Sequence, residues 1–135
     1  MPPEEKAYLA GIIDGEGSIM LTRFHSNQFP APCISIASIS LELLEWVKFK
    51  TGVGKIKSKK NYKPGIHKNS FTYTSRYDDA IALLQMVEPY LVIKQKKMRA
   101  HLILSKYKSL TPRNGRYSQE LLDAKEQFYQ DFMAI

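Results

Sequence analysis

Apolar residues recur along this chain with two periods, and the switches between them divide it into elements. A helix is expected over residues 4–13, with Pro2 and Pro3 ahead of it, Glu4 and Glu5 in its positively polarised first turn, and Gly15 and Gly17 ending it. Alternation takes over at 18–25, which reads as a strand, and a polar, proline-containing loop follows over 26–32. A second strand covers 33–39, where Ile34 and Ile36 alternate with Ser35 and Ala37. Ser40 is an N-cap residue for a helix over 41–50, with Leu43, Leu44 and Val47 three and four apart, Trp46 packing beside them and Gly52 as the stop. Residues 53–61 form a third strand with Ile56 inward and Lys55, Lys57 and Lys59 on the opposite face. A turn at Lys63, Pro64 and Gly65 leads to a fourth strand over 68–76, rich in Thr, Tyr and Phe.

Helical periodicity then returns. Residues 78–87 carry Ile81, Leu83, Leu84 and Val87 and close at Glu88 and Pro89, and a helix over 94–107 turns Met98, Leu102 and Leu104 inward. After a loop over 110–116, Ser118 caps a last helix whose apolar side is Leu121, Leu122, Phe128 and Phe132. The order is αββαββα plus C-terminal helices, an α+β fold in which two hairpins build one antiparallel sheet. Helices cover one face of that sheet, and the lysine face is left for something else.

At 135 residues the chain is expected to be one domain, 1–135, with a single core. No apolar run approaches the roughly 18 residues of a membrane span, and the charged N-terminus lacks a signal-peptide core, so an intracellular protein with no membrane partner is expected. Cys33 is the only cysteine, which excludes an intrachain disulfide or a cysteine zinc cage and suits a packing residue. The formal charge of +7 is unevenly spread. Between Gly17 and Tyr77 the acids are Glu42 and Glu45 alone, against ten lysines and arginines. Such a field attracts polyanions, with steep salt dependence. A two-stranded ribbon fits a DNA major groove. Lys55, Lys57 and Lys59 are then candidates for phosphate or guanine, with Thr22, Ser35 and Tyr73 on the same outer face. Loop residues Asn27, Gln28, Lys60, Lys63, His67, Lys68 and Asn69 extend the footprint. His25, His67 and His101 lack metal-ligand spacing.

The most specific signal lies at the end of the first helix, in Tyr8-Leu9-Ala10-Gly11-Ile12-Ile13-Asp14-Gly15-Glu16-Gly17. Ala7, Gly11 and Gly15 recur every four residues, so they share a stripe on which another helix can approach closely. The segment resembles the LAGLIDADG motif of homing endonucleases, matching at Leu9, Ala10, Gly11, Ile13, Asp14 and Gly17. Ile12 replaces leucine, Gly15 takes the alanine position, and Glu16 takes the second aspartate and keeps a hard oxygen ligand.

The resemblance implies that two such helices pair, with Ala7, Gly11, Asp14 and Gly15 at the contact, and that the second acid of each holds catalytic Mg²⁺. Glu16, aided by the backbone carbonyl of Gly15, is the expected ligand. Asp14 is expected to cap the partner helix or hydrogen-bond at the interface. The chain carries one copy of the motif, so the resemblance implies a homodimer with an isologous interface. Lys94, in Leu91-Val92-Ile93-Lys94-Gln95-Lys96-Lys97, matches the family's active-site lysine, with Lys96 and Lys97 as rivals for the role. Ser38 falls where many members carry a glutamine or asparagine that orders water, a departure from the pattern. The implied activity is cleavage of both strands of a long, nearly palindromic double-stranded DNA. Two rivals remain at this stage: the same fold as an RNA maturase of a group I intron or a non-cutting DNA regulator, and a purely structural interaction domain without nucleic-acid affinity.

Overall fold

The computed structural model describes every residue except Lys60 and Gly115. In chain order the elements are α1 (Pro3–Glu16), β1 (Gly17–Thr22), β2 (Ala31–Ser38), α2 (Leu41–Thr51), β3 (Lys55–Ser58), β4 (Phe71–Arg76), α3 (Asp78–Val87), α4 (Lys94–Lys106) and α5 (Gln119–Met133). Short 3₁₀ turns, Glu88–Tyr90 and Lys108–Leu110, flank α4. The four strands form one antiparallel sheet in the order β1-β2-β4-β3, so the two hairpins meet along β2 and β4.

The first helix does not stop at residue 13. It runs through Gly15 to Glu16, and the Gly17 amide closes its last turn by donating to the Ile13 carbonyl. A side chain at Gly17 would begin 2.9 Å from the Ile13 Cα, a backbone atom that cannot give way. Glycine therefore lets the helix pass directly into β1 with no intervening loop, which fixes Glu16 at the junction of helix and sheet.

Register sorts the strand residues onto two faces. Ile19 lies opposite Ile34, and Ile36 opposite Tyr73, which in turn faces Ile56. These residues point at the helices. With Leu9, Ala10 and Ile13 of α1, Leu44 and Val47 of α2, Leu83, Leu84 and Val87 of α3, Ala100 and Ile103 of α4, and Phe128 and Phe132 of α5, they form the core. The alternate positions, Ser18, Ser35, Thr74 and Lys55, align across the other face.

Tyr73 is therefore not on the outer face, as the sequence pattern suggested, but wholly buried at 0% exposure. Its hydroxyl donates to the Val53 carbonyl at 2.8 Å and lies 3.3 Å from the Thr51 hydroxyl, which supplies the polar partner a buried tyrosine needs. Its ring lies so close to Gly54 that a Cβ there would fall 2.4 Å from it, and Gly54 has φ +96° besides. Burial raises the Tyr73 phenol above its ordinary pKa. The third and fourth strands are shorter than expected, because the chain between them folds on itself: the Asn61 amide donates to the His67 carbonyl (2.7 Å) and the Asn69 Oδ1 (3.1 Å).

Met98 is the second correction. At 45% exposure it lies outside the core, while Ala100 and Ile103 take the inward positions of α4 and Leu102 and Leu104 are half-buried. Cys33 is buried, as a packing residue should be, and burial raises its thiol pKa. Ser40 and Ser118 cap α2 and α5, accepting from the Leu43 and Leu121 amides. Among the described residues no helix is long and apolar enough to cross a membrane.

Replacing Tyr73 by phenylalanine keeps the ring in the core and removes one donor from the Val53 carbonyl. A loss of about 1 kcal/mol of unfolding free energy is expected. Urea denaturation checks it, and an unchanged midpoint would mean the hydroxyl contributes nothing.

Candidate active site and basic face

Three element ends converge where α1 meets the sheet. Glu16 is the last residue of α1, Lys94 the first of α4, and Ser38 the last of β2. Gly17 pairs with Ile36, so Ser38 lies two positions further along, at the sheet end from which α1 arrives.

The α1 and α4 ends are tied to one another reciprocally. The two carboxylate oxygens of Asp14 accept from the amides of Val92 (2.9 Å) and Ile93 (3.1 Å), where α4 has no side-chain cap of its own. In return the Lys96 ammonium donates to the carbonyls of Ile13 (2.8 Å) and Asp14 (2.6 Å), where α1 has no basic residue in its last turn. A carboxylate thus meets the positive end of one helix and an ammonium the negative end of the other. Asp14 was expected at an interface between chains, but its carboxylate is engaged within its own chain. Lys96, considered only as a rival to Lys94, is the lysine that bonds the C-terminal end of α1; Lys94 is exposed and held one residue beyond the Asp14 contact.

Glu16 is exposed and has no hydrogen bond or ion pair among the described residues. A Cβ built on Gly15 or on Gly11 meets nothing within 4 Å. The Ala7, Gly11 and Gly15 stripe therefore lies open along α1. Its opposite side, Leu9, Ala10, Ile12 and Ile13, is buried. Within this chain no three His, Cys, Asp or Glu side chains come together among the described residues. One free carboxylate beside a glycine carbonyl still fits a small hard cation, because Mg²⁺ takes one or two carboxylates and fills its other positions with water and phosphate oxygen. Ser38 differs from a free water-ordering group, since its Oγ already accepts from the Ser40 amide at 3.0 Å.

Beside this centre lies the helix-free face of the sheet. Register puts Thr22, Ser35, Lys55 and Lys57 on it, as expected, together with Thr72, Thr74 and Arg76, which the sequence reading did not single out. Lys59 continues past β3, its amide bonded to the Ser70 carbonyl. Lys63, His67, Lys68 and Asn69 are exposed in the loop that Asn61 organises, and Lys60 lies outside the described residues. In the β1–β2 loop Asn27 and Gln28 are exposed, and Gln28 is fixed by Arg23, which donates to its carbonyl (2.7 Å), and by Tyr77, which donates to its Oε1 (3.2 Å).

The architecture is that of the LAGLIDADG homing endonucleases, an open antiparallel sheet with a motif helix ending at its rim. Among solved structures similar to this chain, homing endonuclease I-CvuI in complex with its target, in the presence of Ca, superposes with a TM-score of 0.75 at 16% identity, covering 98% of this chain and 82% of that one. The archaeal intron-encoded I-Vdi141I complexed with DNA gives 0.65 at 17% identity, over 97% and 83% of the two chains. Meganuclease I-SmaMI, bound to uncleavable DNA, gives 0.58 at 23% identity; it is matched over 98% of this chain but only 42% of its own length. No family model matches the sequence, and no curated protein does.

Asp14→Ala removes the cap of α4 and leaves the Val92 and Ile93 amides without a side-chain partner. The expected cost is about 1–2 kcal/mol of stability, read from urea unfolding. Asp14→Asn should retain part of it. Equal stability of all three proteins would mean that the exchange between α1 and α4 does not hold the two helix ends.

Proposed function

We propose that this chain is a DNA endonuclease, one domain per subunit, that works as a homodimer with Mg²⁺ or another divalent cation and cuts both strands of a long, nearly palindromic duplex. The observation that carries this reading is the open small-residue stripe of α1 ending in an unpartnered Glu16. A stripe of Ala7, Gly11 and Gly15 with nothing against it suits a second copy of the same helix, and two-fold symmetry then brings two Glu16 carboxylates together. Val92, 81% exposed, and Ile93 are apolar neighbours of the same end that a partner would cover. I-SmaMI, whose chain is more than twice the length of the part matched here, has room for a second such unit in one polypeptide.

Each group then has a task. The metal held at Glu16 and the Gly15 carbonyl would polarise the phosphate and lower the pKa of the attacking water. Lys94, exposed at the start of α4, offers positive charge to the phosphate as negative charge develops. Ser38 orients water less freely than a long amide would, because its oxygen is shared with the Ser40 amide. That single feature favours, as a second reading, a chain that binds nucleic acid and cuts slowly or not at all, including an intron-RNA maturase. The sheet face with Lys55, Lys57 and Arg76 supplies phosphate contacts, and Thr22, Ser35 and Thr74 offer short polar groups toward base edges. DNA as substrate implies a site of action inside the cell.

The test is selection of cleaved molecules from a randomised duplex library in Mg²⁺, followed by sequencing of the ends. The expected product is a short stagger with 3′ overhangs at the centre of a two-fold symmetric site of about 18–22 base pairs, from two ribbons that each follow a major groove. Duplexes bound and recovered intact would favour the non-cutting reading, and no recovery at all would favour a structural domain. Glu16→Gln should abolish cutting and leave affinity for the selected duplex within a few-fold; full cutting by that variant would remove Glu16 from the site. Gly11→Leu should give a monomer in sedimentation, because a branched side chain holds the two helices apart, and an intact dimer would place the interface elsewhere.

A further inference from the structure

Among the described residues Lys125, on α5, is one of two buried polar or charged side chains, at 5% exposure, and it has no carboxylate partner there. Its ammonium donates to the Thr111 hydroxyl at 2.7 Å and the Leu110 carbonyl at 3.3 Å. Three rings surround it, with centroids 5.0 Å away for Tyr107, 5.1 Å for Phe29 and 5.6 Å for Tyr117. Tyr107 ends α4, Tyr117 precedes α5, and Phe29 belongs to the loop between β1 and β2. The Phe29 ring also packs on Tyr117 at 5.0 Å, so it is held from two sides. Asn27 and Gln28, the loop residues at the edge of the basic face, immediately precede it.

We infer that Lys125 is a positioning residue for DNA recognition: its caged ammonium grips Phe29 and so holds the β1–β2 loop in the posture that presents Asn27 and Gln28 beside the outer face of the sheet. The DNA part of this inference rests on the function proposed above, and the loop part does not. The grip is electrostatic as well as apolar, because a cation over a ring face is attracted to it and gains strength when desolvated. Burial of the ammonium opposes this attraction, and it also holds the Lys125 pKa below the usual lysine value. A buried charge whose gains and desolvation cost nearly cancel adds little to stability but fixes geometry, since only one arrangement of its partners satisfies it. The rest of the loop agrees with a fixed posture. Arg23 and Tyr77 hold Gln28, and Phe24 lies between the Tyr77 ring at 5.2 Å and the Arg76 guanidinium at 4.4 Å.

Lys125→Met is the informative variant, because it keeps length and packing and removes the charge. Thr111 keeps a bond without it, donating to the Tyr107 carbonyl at 2.8 Å. Three measurements are made on the full chain: melting temperature, the rate of chymotryptic cleavage after Phe24, and the affinity ratio between the duplex selected by the wild type and a shuffled duplex of equal composition. The expected result is a melting temperature within about 3 °C of wild type, loop cleavage about tenfold faster, and a ratio lowered about tenfold through weaker binding of the selected duplex alone. Phe29→Leu, which removes the ring from the other side of the contact, should reproduce the cleavage and ratio changes. Unchanged cleavage in both variants overturns the inference, as does a lowered melting temperature with an unchanged ratio. If the wild type selects no duplex, the nucleic-acid reading falls, and the cleavage rates still decide whether Lys125 holds the loop.

Discussion

The exchange of groups between the end of α1 and the start of α4 is the constraint on which the site depends. Helices leave unpaired amides at one end and unpaired carbonyls at the other, and here two such ends lie side by side, α4 without a side-chain cap and α1 without a basic residue in its last turn. Asp14 answers the amides of Val92 and Ile93, and Lys96 answers the carbonyls of Ile13 and Asp14. The four bonds join residues about eighty positions apart in sequence. They set Glu16 and Lys94 at fixed stations on either side of one junction. Lys96 spends its charge on backbone that precedes Gly15, and no side chain among the described residues donates to the Gly15 carbonyl itself. The arrangement therefore neutralises the negative end of α1 without occupying the positions next to the free carboxylate.

The sheet is coupled to that junction by two glycines. Gly17 permits the helix to become a strand within one residue, so Glu16 cannot shift without moving β1. At the far side Gly54 makes room for the Tyr73 ring, whose hydroxyl fastens β4 to the segment leading into β3. Between them β2 and β4 run antiparallel through the centre of the sheet, from Cys33 opposite Arg76 to Ser38 opposite Phe71. The basic face and the acidic helix end thus belong to one packed unit.

Much of this was legible in the sequence. Alternation and helical spacing locate every helix and strand to within a few residues, because the fold is built from one buried and one open sheet face. The acid and glycine pattern after Leu9 located the junction. What the sequence concealed was choice among near-equivalent neighbours. Lys94, Lys96 and Lys97 differ only in azimuth about α4, and nothing local says that Asp14 will meet amides of residues 92 and 93. Tyr73 was misassigned because a strand rich in Thr and Tyr offers no strong apolar alternation, so its face is decided by pairing with Ile36 and Ile56. Lys125 left a trace that could have been read. It sits on the stripe Leu121, Phe128 and Phe132 at spacings of four, three and four, an inward position that a lysine takes only when the interior has a place for its charge.

The division of the sheet into two faces has an evolutionary consequence. Ser18, Thr22, Ser35, Thr72, Thr74, Lys55 and Lys57 point away from the core, so most exchanges there change the outer chemistry while leaving the packing beneath untouched. Such positions can drift by neutral substitution, and a lineage can sample new outer patterns without passing through unfolded intermediates. Ala31 and Cys33 are the exceptions, since they belong to the same face by register yet are nearly inaccessible. Change at either would be felt by the fold, so along β2 the freedom to diversify opens only at Ser35.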